Sequence, residues 1–122
     1  MASPNFYSTT QNPNFSAYPE QQVLAVTTTS AAGAFVTSLG INGEDVCIYN
    51  NGTSAAQVVF STTASPTAVN TAAVAAAFAT GTQQVFVAPG SYTTWRKGQA
   101  AYFAAITDTS TTSLILLAGR GS

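Results

Sequence analysis

From Gln21 onward, apolar and polar residues alternate in short runs, and turn-forming residues interrupt the runs at intervals of about 8–12 residues. Residues 23–29 and 34–39 are expected strands parted by Ala32-Gly33, and 40–43 forms a turn. Within 45–50, Val46 and Ile48 share one face and Cys47 and Tyr49 the other, and 55–61 is the next strand. Asn51-Gly52 between them suits the positive φ angles of a two-residue hairpin turn, so a β-hairpin is expected there. After Gly81 the pattern continues as strands over 83–88, 92–97, 101–107 and 113–118. Pro89-Gly90, Gly98-Gln99 and 108–112 separate them, and so close a succession predicts a meander. The whole reads as an all-β, jelly-roll-like antiparallel β-sandwich of about eight strands over 21–122.

Two stretches depart from the alternation. In 66–80, Ser65 as N-cap, Pro66 at the first position and Gly81 past the end spell one short helix with Val74 and Phe78 on a face. Thr67, Val69, Asn70, Thr71 and Thr80 are poor helix formers and leave a loop or strand as the alternative. Residues 1–20 show no period of either kind and contain Pro4, Pro13 and Pro19. They read as an extended N-terminal arm. The arm carries Phe6, Tyr7, Phe15 and Tyr18, and Pro-Asn-Phe occurs in it twice. Four rings are more than a solvated tail needs, so they are expected to anchor the arm on its own domain or across a neighbouring subunit. Proline stiffening lowers the ordering cost of such docking.

Composition sharpens this picture. Of 122 residues, 46% are hydrophobic and 6% are charged, with a net charge of −1 and a mean hydropathy of +0.20. Such a chain folds, since disorder requires low hydrophobicity with high charge. Its cations are Arg96, Lys97 and Arg120, too few for a nucleic-acid face or a polybasic membrane anchor. The longest strongly apolar run, 72–79, falls far short of the ~20 residues of a membrane helix, and no secretory signal opens the chain, so synthesis in a cytoplasm is expected. Neither nucleic acid nor membrane is an expected partner.

Chemistry has little to work with. There is no His, and a single cysteine, Cys47, reads as a buried apolar side chain. Triad and metal chemistry are therefore not expected, no cofactor is implied, and the protein is not expected to be an enzyme. Glu44 and Asp45 are adjacent and would face opposite ways on a strand or be solvated in a turn. Glu20 and Asp108 read as local caps. Tyr92, Trp95, Arg96 and Arg120 are candidate interface residues, because aromatics beside cations are common contact chemistry. On alternation, Trp95 shares a face with Thr93 and Lys97.

Several segments together resemble small β-sandwich virion proteins of tailed bacteriophages, the capsid decoration or cement proteins. They are Val46-Cys47-Ile48-Tyr49-Asn50-Asn51-Gly52-Thr53 with Val58-Val59-Phe60, Val87-Ala88-Pro89-Gly90-Ser91, Tyr102-Phe103-Ala104-Ala105-Ile106, and the closing 116–121. The resemblance spans about residues 40–121. Its closing Gly-acid-Gly step is replaced here by Gly119-Arg120-Gly121. It implies a non-enzymatic protein present in many copies on the capsid surface of the virion, bound to the major capsid protein across subunit junctions. A homo-oligomer is expected, and the chain's neutrality and its arm are compatible with a dimer or a trimer alike. Two other roles fit the same residues: a receptor- or glycan-binding module of a head or tail fibre with Trp95 and Tyr92 as stacking rings, and a tail or connector component.

Overall fold

The computed structural model describes residues 16–36, 44–74 and 83–120. Eight strands form two four-stranded sheets: β1 (Ser16–Val26), β2 (Ala31–Ala34), β3 (Glu44–Asn50), β4 (Ala56–Ser61), β5 (Gln84–Val87), β6 (Tyr92–Arg96), β7 (Tyr102–Thr107) and β8 (Thr112–Arg120). One sheet has the order β1-β8-β3-β6 and the other β2-β7-β4-β5, with every pairing antiparallel. That order is a jelly roll. The all-β sandwich expected from alternation is what forms.

Alternation dictates what the sheets enclose. In β8, Thr112, Leu114, Leu116 and Ala118 are buried while Ser113, Ile115 and Leu117 are half-buried. Register places Leu116 beside Ile48 and Ala118 beside Val46, and both pairs enter the core with Val58, Val85, Val87 and Phe103. Phe35 lies between Phe103 and Phe60, at ring-centroid distances of 4.9 and 6.2 Å. Gly33 lets this column form: a Cβ there would stand 2.7 Å from Phe103 Cζ.

The expected hairpin at Asn51-Gly52 is not formed. Strand β3 already has β8 and β6 on its two edges, so β4 passes to the opposite sheet, where Val58 faces Val46 and Ile48 across the core. Gly52 has no positive φ. It is required instead by close approach, since a Cβ would lie 2.0 Å from Thr112 Oγ1. Buried Asn50 organises the crossing: its Oδ1 accepts from Gly52 N and Thr112 Oγ1, and its Nδ2 donates to the carbonyls of Ser54 and Val87. All four hydrogen-bonding positions of the amide are used.

The expected meander over 83–118 is likewise corrected. Strands β5, β6, β7 and β8 alternate between the sheets, so each turn among them spans the sandwich. Pro89-Gly90 and Gly98-Gln99 are turns as expected, with Gly90 and Gly98 at φ of 72° and 60°.

Of the helix expected over 66–80, the described residues show none over 66–70, then a 3-10 turn at Thr71–Ala73 with Asn70 at its N-cap and no side-chain capping bond, and an α-helical residue at Val74. Residues 75–80 lie outside the described ones. Ser65 is not an N-cap but sits at φ 58°. The sandwich has claimed the amides that a helix would use. Gln84 brackets Val69, accepting from its N–H and donating to its C=O, both at 2.8 Å. Ser30 Oγ takes the Ala68 N–H and Asp108 Oδ1 takes the Thr71 N–H. This connection drapes Ala68 over Val59, Ala104 and Ile106 on the outer side of the second sheet.

Strand β1 starts at Ser16, so the last five residues of the expected arm, 16–20, belong to a sheet; the pairing shifts register between Ala17 and Gln21. Phe6, Tyr7 and Phe15 lie outside the described residues. Tyr18 falls on the backbone of β1.

Candidate functional site

Strands β3 and β6 pair so that Asp45 stands opposite Arg96, which brings the acid pair Glu44-Asp45 beside the base pair Arg96-Lys97. Because neighbours on a strand point to opposite faces, the four charges form one bond on each side of the sheet. Inside, Lys97 Nζ donates to Glu44 Oε1 at 2.6 Å and to the Ala100 carbonyl at 2.8 Å, with both charged side chains fully buried. The ammonium also lies 4.9 Å from the centre of the Phe35 ring. Outside, Arg96 Nε donates to Asp45 Oδ1 at 3.1 Å, from a side chain 56% exposed to one 5% exposed. The Glu44 carbonyl accepts from the N–H groups of Lys97 and Gly98, fixing the turn. Glu44 and Asp45 do face opposite ways, but neither is solvated. Each holds a cation.

Four of the seven charges are thus neutralised at one end of the sandwich, and two surfaces flank this clasp. The first is the outer face of β1-β8-β3-β6, where Cys47, Tyr49, Tyr92, Ile115, Leu117 and Gln21 line a depression of about 390 Å³. Among the described residues its lining comes from the sheet and from Gly90, and it carries no charge. Val23, on the same face by register with Ile115, is 66% exposed. Tyr92 is 41% exposed, its ring centre 5.2 Å from that of Tyr49. Cys47 is buried as expected, and burial pushes its thiol above the ordinary value, partly offset by the neighbouring Thr94 hydroxyl. Burial thus makes the thiol less ready to ionise. Thr94 Oγ1 is itself buried without a hydrogen bond of ordinary geometry.

The second surface is a cleft of about 320 Å³ at the open edge between β5 and β6. Trp95 lines it with Ser61, Thr62, Gln83, Arg96 and Gln99. Trp95 pairs in register with Val46, so it belongs to the inward face of β6, shared with Thr93 and Lys97 as expected. Being at the edge strand, the residue remains 39% exposed.

The candidate residues are therefore divided rather than gathered. Tyr92 and Arg96 lie on the outer face, Trp95 on the other, so Tyr92 and Trp95 do not form one stacking platform. Arg120 ends β8 exposed, opposite Ser16 and Glu44 in register. Sequence reasoning missed the Glu44–Lys97 pair and the Asn50 hub. The first had a signal: in a chain with seven charges, an Asp/Glu doublet and an Arg/Lys doublet on strand ends invite pairing.

Among the described residues, no three His, Cys, Asp or Glu side chains gather as a metal site, and no helix is long and apolar enough to cross a membrane. No family model matches the chain, and no curated protein matches it. One solved chain, described as "Bacillus endospore appendages form a novel family of disulfide-linked pili", is similar at a TM-score of 0.47 and 10% identity. The match covers 90% of this chain and 92% of that one; a likeness at this level carries no functional argument.

Proposed function

We propose that this chain is a structural virion protein that binds the outer surface of a phage capsid and stabilises contacts between major capsid subunits. The observation that supports docking is the uncharged lining of the depression on the outer face of β1-β8-β3-β6, formed by Cys47, Tyr49, Tyr92, Ile115 and Leu117, with Val23 exposed on the same face. The second sheet has its own connection over its outer side, including Ala68, whereas the lining of this depression comes from its sheet and one turn. The class of partner follows from the resemblance of residues 40–121 to decoration proteins, and the surface that fits is an uncharged, partly apolar patch of a major capsid subunit. The arm adds Phe6, Tyr7, Phe15 and Tyr18 as anchors on neighbouring subunits. Many copies on a symmetric lattice let modest individual affinities act together.

Quantitative mass spectrometry of purified particles tests the assignment. A copy number equal to that of the major shell protein, or a simple fraction of it, is expected; a few copies per particle or none overturns the reading. On such particles, Val23→Asp with Tyr92→Asp lowers occupancy at least about tenfold, the scale of one interface hot spot, while the isolated protein keeps its fold. Removing residues 1–15, which leaves β1 intact, weakens attachment if the arm anchors it.

A further inference from the structure

We propose that the cleft at the β5/β6 edge is a binding site for a neutral saccharide, with the Trp95 indole as its platform. The inference stands apart from the docking reading, because the inward face of β6 carries Trp95 and the outer face carries Tyr92. Three features of the cleft define the ligand. An exposed indole presents a flat, electron-rich face, complementary to the weakly positive C–H hydrogens on one side of a pyranose ring. Gln83, Gln99, Ser61 and Thr62 line the cleft with it, residue types whose amides and hydroxyls offer donors and acceptors together, as hydroxyls at a ring edge require. The cleft's volume of about 320 Å³ is at the low end of the range for small-molecule sites, about 300–1,000 Å³, and suits a short stretch of sugar rather than a large cofactor.

Charge decides between saccharide and the other ligands that stack on indoles. A nucleotide or an acidic sugar needs a cation to meet its phosphate or carboxylate. The two cations lining this cleft already hold carboxylates: Lys97 that of Glu44 from a fully buried position, and Arg96 that of Asp45. With their carboxylate partners the two cations sum to no net charge, which favours a neutral guest, and the remaining N–H groups of Arg96 are further donors for its hydroxyls. An apolar peptide would leave the amides and hydroxyls of the rim unsatisfied, at a cost in each case.

Trp95 is the single Trp of the chain, so its emission reports on this cleft alone. The full chain is titrated with neutral oligosaccharides built from glucose, mannose, galactose and N-acetylglucosamine, and in parallel with an oligogalacturonate and with AMP. A saturable change of Trp emission with at least one neutral oligosaccharide, and none with the two anions, is expected. Gln83→Ala and Gln99→Ala each weaken that binding about tenfold, the effect of one lost hydrogen bond, whereas Tyr92→Ala leaves it unchanged. No response to any neutral sugar, a response confined to the anions, or binding indifferent to both glutamine substitutions but lost with Tyr92→Ala each overturns the assignment. Particle occupancy of the Gln83→Ala variant separates the two proposals, since this cleft takes no part in capsid docking.

Discussion

Two fully buried side chains of opposite charge, Glu44 and Lys97, occupy the inner end of the core beside Phe35. Removing both charges from water is expensive, and the bond repays it only because the geometry is short and the ammonium also reaches the Ala100 carbonyl. Breaking the pair from one side is therefore costly. Lys97→Met is expected to destabilise the fold by about 3–5 kcal/mol, leaving a buried carboxylate without its cation. The double variant Glu44→Met, Lys97→Met is expected to lose less than Lys97→Met alone. Urea unfolding of the single and double variants checks the order, and a double variant weaker than the single overturns it. Sequence displayed the two doublets, Glu44-Asp45 and Arg96-Lys97, but not their register. Register depends on β3 and β6 becoming neighbours, a consequence of topology that no local pattern encodes.

At the scale of the element, local patterning locates strands well and their partners poorly. Val46 and Ile48 were legible as sharing one face because a strand repeats every two residues, whereas Leu114 to Leu117 make β8 apolar on both faces and only the packing shows which one enters the core. Asn51-Gly52 misled because a glycine wanted for close approach to Thr112 has the same spelling as one wanted for a hairpin. The segment 66–71 was unreadable for another reason: its backbone partners are side chains distant in sequence. Gln84 holds Val69, and Asp108 holds Thr71. Hydrogen bonds from the Thr71 hydroxyl and then from its amide keep the Asp108 carboxyl below its ordinary value. A carboxyl depressed in the folded state contributes fully above its unfolded value and loses that contribution as pH falls through the folded one. The Thr71 amide should accordingly stay protected at neutral pH and loosen only below about pH 3.8, the ordinary value. Asp108→Ala speeds its hydrogen exchange about tenfold at pH 7, with the core amides of β7 and β8 unchanged. Equal exchange in the two proteins would remove Asp108 from that role.

Across the whole molecule, near-neutrality is built from pairing as well as from scarcity. Glu44, Asp45, Arg96 and Lys97 cancel at one end, and the outer face of the first sheet offers Val23 and Tyr92 without a lining charge. Salt screens exposed charges and leaves apolar contact largely untouched. Occupancy on particles is therefore expected to stay within about twofold between roughly 0.05 and 0.5 M salt. A steep loss over that range would mean that charged contacts, not this face, hold the protein in place. Composition made the scarcity of charge legible and alternation already set Trp95 on the face opposite Tyr92, but only the three-dimensional arrangement showed which of the two faces is the outer one.

The strand order also constrains how the molecule comes into being. Strand β8 lies between β1 and β3, and Ser16 pairs with Arg120. The first sheet therefore has a gap at its centre until β8 has left the ribosome, and among the described strands its earliest waits for its last. Closing such distant contacts carries the loop entropy in advance of the reward, which makes for slow folding on the scale of about milliseconds to seconds. During that wait the apolar edges of β1 and β3 are open to other nascent copies. A surface poor in charge gives those copies little repulsion, so the period of synthesis is when this chain is most exposed to misassembly.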